Sequence, residues 1–233
     1  MREVFDFSGP MQSGELARLR QASHSSGFFY ARHPLFDEHR SSAALELAQQ
    51  FFDFPPAQKE AVAIQRSSHY RGYSVMQNSR DWREQIHFGR ETAEGRHRLE
   101  GPNLWPADPA WRSALLNLLA DFETAGRSIL QALACCLGIA ADDLLAREEQ
   151  PYLLLKMIHY LVPPDITPRS GVAPHVDFSW ITLLLQDATG GLSVCTPRGV
   201  WLDVEPLAGT LVVNLGEILQ FASRSYFLAT PHR

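Results

Sequence analysis

The stretch Gly171-Val172-Ala173-Pro174-His175-Val176-Asp177-Phe178-Ser179-Trp180-Ile181-Thr182-Leu183 constrains this chain more than any other. At its centre stands His175-x-Asp177, and a second histidine, His232, follows near the C-terminal edge of the sequence. Two histidines and one carboxylate are the ligand set of a mononuclear non-haem iron(II) site. An iron that binds dioxygen and an organic co-substrate needs open coordination positions, so the protein supplies three ligands on one face. Two neutral imidazoles and one carboxylate leave one net positive charge on iron(II), which suits an anionic co-substrate. On a strand, residues i and i+2 point the same way, so His175 and Asp177 are expected to reach one metal from one short run of backbone. His232 is then expected on another strand. H-x-D by itself is a weak signal, because a histidine on a strand is more often a structural or surface residue.

Five further runs surround the three residues. They are Lys156-Met157-Ile158-His159-Tyr160 with Pro163-Pro164, and Ala173 to Phe178 followed by Ile181-Thr182-Leu183-Leu184-Leu185-Gln186-Asp187. Next come Gly190-Gly191-Leu192-Ser193-Val194 with Gly199-Val200-Trp201-Leu202-Asp203-Val204, then Val212-Val213-Asn214-Leu215-Gly216-Glu217-Ile218-Leu219-Gln220, and finally Ala229-Thr230-Pro231-His232-Arg233. In order and spacing they resemble the isopenicillin N synthase-like branch of the iron(II)/2-oxoglutarate dioxygenases. Nearer the N-terminus, Gly27-Phe28-Phe29-Tyr30, Phe52-Asp53-Phe54-Pro55 with Lys59, and Gly101-Pro102-Asn103-Leu104-Trp105-Pro106 are similar to further runs of that family.

A chain of 233 residues, 45% hydrophobic and 20% charged, has the length for one domain with a sizeable core. A net charge of -5 makes no electrostatic case for nucleic acid. No apolar run approaches the roughly 18 residues of a membrane span. The N-terminus reads as a strand rather than a signal peptide. Cys135, Cys136 and Cys195 read as reduced thiols of a cytoplasmic protein. Oligomeric state is open.

Along the chain, Glu3 to Ser8 alternates as an edge strand, Ser13 is an N-cap for a helix that Gly27 breaks, and residues 28–33 return as a strand. His33 is read as a packing or hydrogen-bonding residue. Asp37 starts a second helix, which Pro55-Pro56 stops. Residues 65–100 read as loop, with a strand at Gln85 to Gly89. Asp108-Pro109 opens a long helix striped by Leu115, Leu118, Leu119, Phe122, Ile129, Leu130, Leu133 and Leu137, and Gly138 follows it. Asp142, Asp143, Glu148 and Glu149 read as a solvated face. Strands are expected at 152–160, 180–186, 192–195, 200–204, 210–214 and 218–221, a spacing that suggests a sandwich or jelly roll.

The fold expected is α+β, a double-stranded β-helix (jelly-roll) core flanked by N-terminal and central helices. Residues 1–105 form the N-terminal region of the non-haem dioxygenase type, 106–150 the scaffold helix and 151–233 the core, all in one compact unit. The resemblance implies Fe(II) held by His175, Asp177 and His232. It also implies 2-oxoglutarate and O2 as co-substrates, succinate and CO2 as co-products, and ascorbate as a stimulant. The expected reaction is oxidation, by default hydroxylation, of a small molecule. Tyr160 matches the tyrosine that meets a 2-oxoglutarate carboxylate, although the family's asparagine two positions earlier is Ile158 here. The R-x-S arginine that anchors the far carboxylate would lie beyond Arg233, so the core is expected to be cut short at its C-terminus. Arg71, Tyr73 and Arg83, in the region that contributes to the family's substrate pocket, would suit a substrate carboxylate, and Phe178 adjoins the ligand pair. These tilt the substrate towards an amino-acid-like molecule. The alternatives are an iron oxidase without 2-oxoglutarate, of the isopenicillin N synthase type, and a truncated non-catalytic metal-binding protein. A zinc hydrolase ranks last, because no general-base glutamate sits near the motif.

Overall fold

The computed structural model describes residues 3–93, 98–140, 151–162 and 171–233. The acidic group at 142–149 and the pair Pro163-Pro164 lie outside the described residues. The described elements run β1 (Val4–Asp6), α1 (Ser13–Ser25), β2 (Phe28–Arg32), α2 (Glu38–Phe52), α3 (Pro56–Ala61), β3 (Gly72–Gln77) and β4 (Trp82–Gly89). They continue through α4 (Pro109–Leu137), β5 (Leu154–Tyr160), β6 (Ile181–Leu184), β7 (Ser193–Cys195), β8 (Trp201–Asp203), β9 (Leu211–Leu215) and α5 (Glu217–Ala222). The mixture of helices and sheets agrees with the α+β class. The chain divides into two units: Met1–Leu45, Asp121–Glu149 and Pro174–Arg233 form unit 1, and Glu46–Ala120 and Gln150–Ala173 form unit 2.

Unit 1 is built on the sheet β1-β2-β9-β6, with β1 and β2 parallel and the other pairs antiparallel. Strand β9 is buried along its whole length, as expected of a central strand covered on both faces. Its odd residues Val213 and Leu215 pack with Leu19 and Ala22 of α1 and with Ile129, Leu133 and Cys136 of α4. The even residue Val212 packs instead with Phe28, Tyr30, Val194 and Val204. Each aliphatic side chain fully buried here contributes about 1.5–3 kcal/mol. Strands β7 and β8 pair antiparallel. The C-terminal residues extend that layer, since Ser193 and Arg233 exchange backbone hydrogen bonds at 2.9 Å and His232 forms bridges to both Val194 and His175.

Unit 2 carries the antiparallel sheet β3-β4-β5. Ile86 and Phe88 of β4 pack with Phe51, Trp111, Leu115 and Met157. Arg83, Gln85 and His87 alternate with them and so point to the other face. The indole of Trp111 donates to the Leu47 carbonyl at 2.9 Å, tying α4 to α2.

Three local expectations are corrected. The first helix is capped by Gln12, not Ser13, with the Glu15 carboxylate accepting the Gln12 N–H at 3.3 Å. Residues 72–89 are a hairpin rather than mostly loop, because the polar residues of β3 and β4 find partners across the sheet. The Tyr73 hydroxyl reaches Glu84 at 2.6 Å, for example. Residues 218–221 lie in helix α5, not a strand. The carbonyls of Asp177 and Ser179 take the N–H groups of Glu217 and Ile218, and a helical turn then buries Leu219 and exposes Phe221. The other expected elements are present with shifted ends. Asp37 and Asp108 each accept backbone N–H groups at the start of their helices. His33 caps a short turn by accepting the Leu35 N–H.

Candidate metal centre

His175 and His232 are adjacent in space because their backbones pair. His175 N–H donates to the His232 carbonyl at 3.0 Å and receives the reciprocal bond at 2.9 Å, which places the two rings 4.4 Å apart. This bridge is isolated, and residues 176–180 form no strand, so Asp177 is held from a loop rather than from the strand position expected. The reason is the turn after it. The Asp177 carbonyl accepts the Glu217 N–H at 2.9 Å and the Trp180 carbonyl accepts the Gly216 N–H at 3.0 Å, binding the loop to the start of α5. Gly216 permits this closeness, since a Cβ there would collide with the Ser179 carbonyl oxygen.

The three side chains converge. Asp177 Oδ1 lies 3.6 Å from His175 Nε2 and Oδ2 lies 3.7 Å from His232 Nε2, while one ligand atom from each residue falls within 4.8 Å of the others. Those separations exceed charge-assisted hydrogen bonds and suit donors facing a shared central point. Among the described residues this is the one group of histidine, cysteine and acidic side chains able to hold a metal. The His232 Nδ1 lies 3.0 Å from the Thr230 carbonyl, so Nδ1 carries the proton and the Nε2 lone pair is left for a ligand bond. The Thr230 hydroxyl in turn donates to the Ser26 carbonyl. Burial disfavours ionisation of Asp177, but hydrogen bonds from the Thr182 and Asn214 side chains, with the two imidazoles nearby, outweigh it and hold the carboxyl below its ordinary value. The donor set is therefore an anionic oxygen and two imidazole nitrogens, and it fits a divalent first-row metal.

The remaining candidate residues have other surroundings. Phe178 is 81% exposed beside the ligand loop. Tyr160, in unit 2, is half exposed, with its ring over Gly171. Arg71 is 1% exposed and donates to the carbonyls of His69 and Leu99 at 3.3 and 2.6 Å, so its guanidinium is engaged with the interior of unit 2. Tyr73 is buried as well. Its hydroxyl donates to Glu84, a carboxylate that also receives Lys59 and His159, and burial with this contact pushes the phenol pKa upward. Arg83 lies 3.3 Å from Asp81. Sequence reasoning missed Asn214, Thr182 and Thr230 as supports of the three converging side chains. The signal for Asn214 was a lone amide in the otherwise apolar run Leu211–Leu215.

Residues 3–108 match the family described as non-haem dioxygenase in morphine synthesis N-terminal, and residues 152–233 match the 2OG-Fe(II) oxygenase superfamily. A 2-oxoglutarate-dependent dioxygenase of Gibberella zeae is 32% identical over 94% of this chain and 62% of its own length. A homoarginine-6-hydroxylase of Arabidopsis thaliana is 27% identical over 94% of this chain and 64% of its own. The chain thus spans less than two thirds of the length of these two relatives. A full-length protein of Neurospora crassa, solved in complex with alpha-KG, superposes with a TM-score of 0.88 at 25% identity, covering 99% of this chain and 77% of that one.

Proposed function

Because the chain belongs to the 2OG-Fe(II) oxygenase superfamily, we propose that it is, or forms the core of, an iron(II)- and 2-oxoglutarate-dependent dioxygenase that hydroxylates a small molecule. His175, Asp177 and His232 are its iron ligands. The observation that carries this reading is the convergence of their three ligand atoms within 4.8 Å. Bound there, iron(II) with dioxygen and 2-oxoglutarate supplies the oxidation of a substrate C–H bond, with succinate and CO2 as co-products. The residues of this chain do the rest. Asp177 provides the anionic donor, the Thr230 carbonyl fixes the His232 tautomer, and the paired backbones of 175 and 232 hold both rings in place. Three ligands leave positions for a chelating co-substrate and for dioxygen.

The sheet β1-β2-β9-β6 and the layer formed by β7, β8 and the C-terminal residues share the cluster of Phe28, Tyr30, Val194, Val204 and Val212, which supports a double-stranded β-helix as the core. The role of Tyr160 towards 2-oxoglutarate rests on its match to the family's tyrosine. An amino-acid-like substrate is supported by the relative named for homoarginine rather than by Arg71, which has internal partners.

The test is an anaerobic titration with Fe(II) and then 2-oxoglutarate, followed by visible absorption. Stoichiometric iron binding and a charge-transfer band on adding 2-oxoglutarate are expected, both abolished in His175→Ala. Equal iron binding by the parent and His175→Ala would overturn the site. Iron binding without the band would replace the reading with a 2-oxoglutarate-independent oxidase.

A further inference from the structure

Asn214 stands alone as a polar side chain in β9, whose five residues are all buried, and it is 5% exposed. An amide buried among aliphatic neighbours weakens a fold unless its hydrogen bonds are made. Its Nδ2 donates to Asp177 Oδ2 at 2.8 Å, across 37 positions of sequence. Strand register sets Asn214 directly opposite Thr182 of β6, and residues paired in this way share a face of the sheet. The Thr182 hydroxyl, on that face, lies 3.3 Å from the Ser179 hydroxyl and is among the groups that hold Asp177 ionised. Two residues beyond Asn214, Gly216 draws the 177–180 loop against the strand end. The carboxylate therefore meets the sheet through Oδ2, which also lies 3.7 Å from His232 Nε2, while Oδ1 lies 3.6 Å from His175 Nε2.

We infer that Asn214 is a positioning residue, with Thr182 beside it, which holds the Asp177 carboxylate through Oδ2 and so sets its orientation towards His175 and His232. The inference rests on the iron-site reading above. A carboxylate free to rotate must be ordered when a metal binds, and that ordering weakens binding. With Oδ2 engaged by the Asn214 amide, the carboxylate plane is set before a metal arrives. Hydrogen-bonding partners of this kind typically change metal affinity 10- to 100-fold.

The experiment uses Co(II) alone as the probe, with its dissociation constant and visible spectrum measured for the parent chain, His175→Ala, Asn214→Leu and Thr182→Val. Asn214→Leu is expected to bind Co(II) about 10- to 100-fold more weakly, with an altered visible spectrum. Its metal-free melting temperature should be equal to or above that of the parent, since Leu suits the apolar strand. Thr182→Val preserves side-chain shape and is expected to weaken Co(II) binding as well, so it carries the test should the Asn214 variant fail to fold. Co(II) affinity within twofold of the parent in Asn214→Leu, or in Thr182→Val where that variant stands in, would overturn the inference. A lower melting temperature of Asn214→Leu with unchanged affinity would assign the amide to the fold instead. Failure of the iron-site reading shows up separately, as equal Co(II) binding by the parent and His175→Ala.

Discussion

His87 illustrates how a single residue of β4 couples the fold to pH. Burial, then the charge of Lys156, push its pKa from 6.5 down to about 4, partly offset by a hydrogen bond to the Tyr70 carbonyl. The folded chain therefore refuses a proton that the unfolded chain accepts between those values. The stabilisation is complete above pH 6.5 and is lost as pH falls towards 4. A shift of that size corresponds to about 3 kcal/mol. Denaturant unfolding at a series of pH values should show stability climbing from pH 4 to 6.5 in the parent and a markedly flatter profile in His87→Gln. Identical slopes would show that the imidazole does not titrate in this window. Glu84 is the contrasting case. Burial opposes its charge, yet Tyr73, His159 and Lys59 together hold it ionised and its pKa low. That network accounts for Tyr73 more directly than a substrate contact does.

Elements in this chain are legible where local chemistry decides them. The long helix α4 announced itself through Asp108, which accepts the N–H groups of Ala110 and Trp111 at 2.9 and 3.0 Å, and through its apolar stripe. Replacing Asp108 with Ala should cost about 1 kcal/mol, read as a lower denaturation midpoint with Co(II) affinity unchanged. The break at Gly27 was equally legible. Its φ is +59°, and a Cβ would collide with the Leu228 carbonyl, so only glycine lets the C-terminal run pass so close to the start of β2. Helix α5 was not legible. Ile218 to Phe221 has strand composition, and the Asp177 and Ser179 carbonyls that start the helix come from about forty positions earlier. The β3–β4 hairpin escaped for a related reason, since its polar residues are satisfied by contacts such as Tyr73 with Glu84.

Across the whole molecule, the proposed metal site links metal binding to the fold. The three proposed ligands come from separated parts of the chain that only the folded state brings together, so a metal that binds the folded state raises stability by mass action. At a free metal concentration 100 times the dissociation constant the gain is about 2.7 kcal/mol. Calorimetric melting should show this as an upward shift with Co(II) that EDTA reverses and that Asp177→Ala does not display. A shift of equal size in Asp177→Ala would place the stabilising metal elsewhere. No described helix is long and apolar enough to cross a membrane, and the three cysteines are free thiols.

The amino-acid sequence singled out the proposed ligands, because His175, Asp177 and His232 carry a donor set whose chemistry is independent of how they are brought together. It also determined the amphipathic helices, the capping aspartates and most strands, since these depend on residues a few positions apart. Only the tertiary structure decided that Asp177 is held from a loop and not a strand, that Asn214 takes one of its oxygens, and that Arg71 is engaged with interior carbonyls. Each of these depends on a hydrogen bond between groups distant in sequence. Such a bond forms where burial removes water and leaves the two groups to satisfy one another.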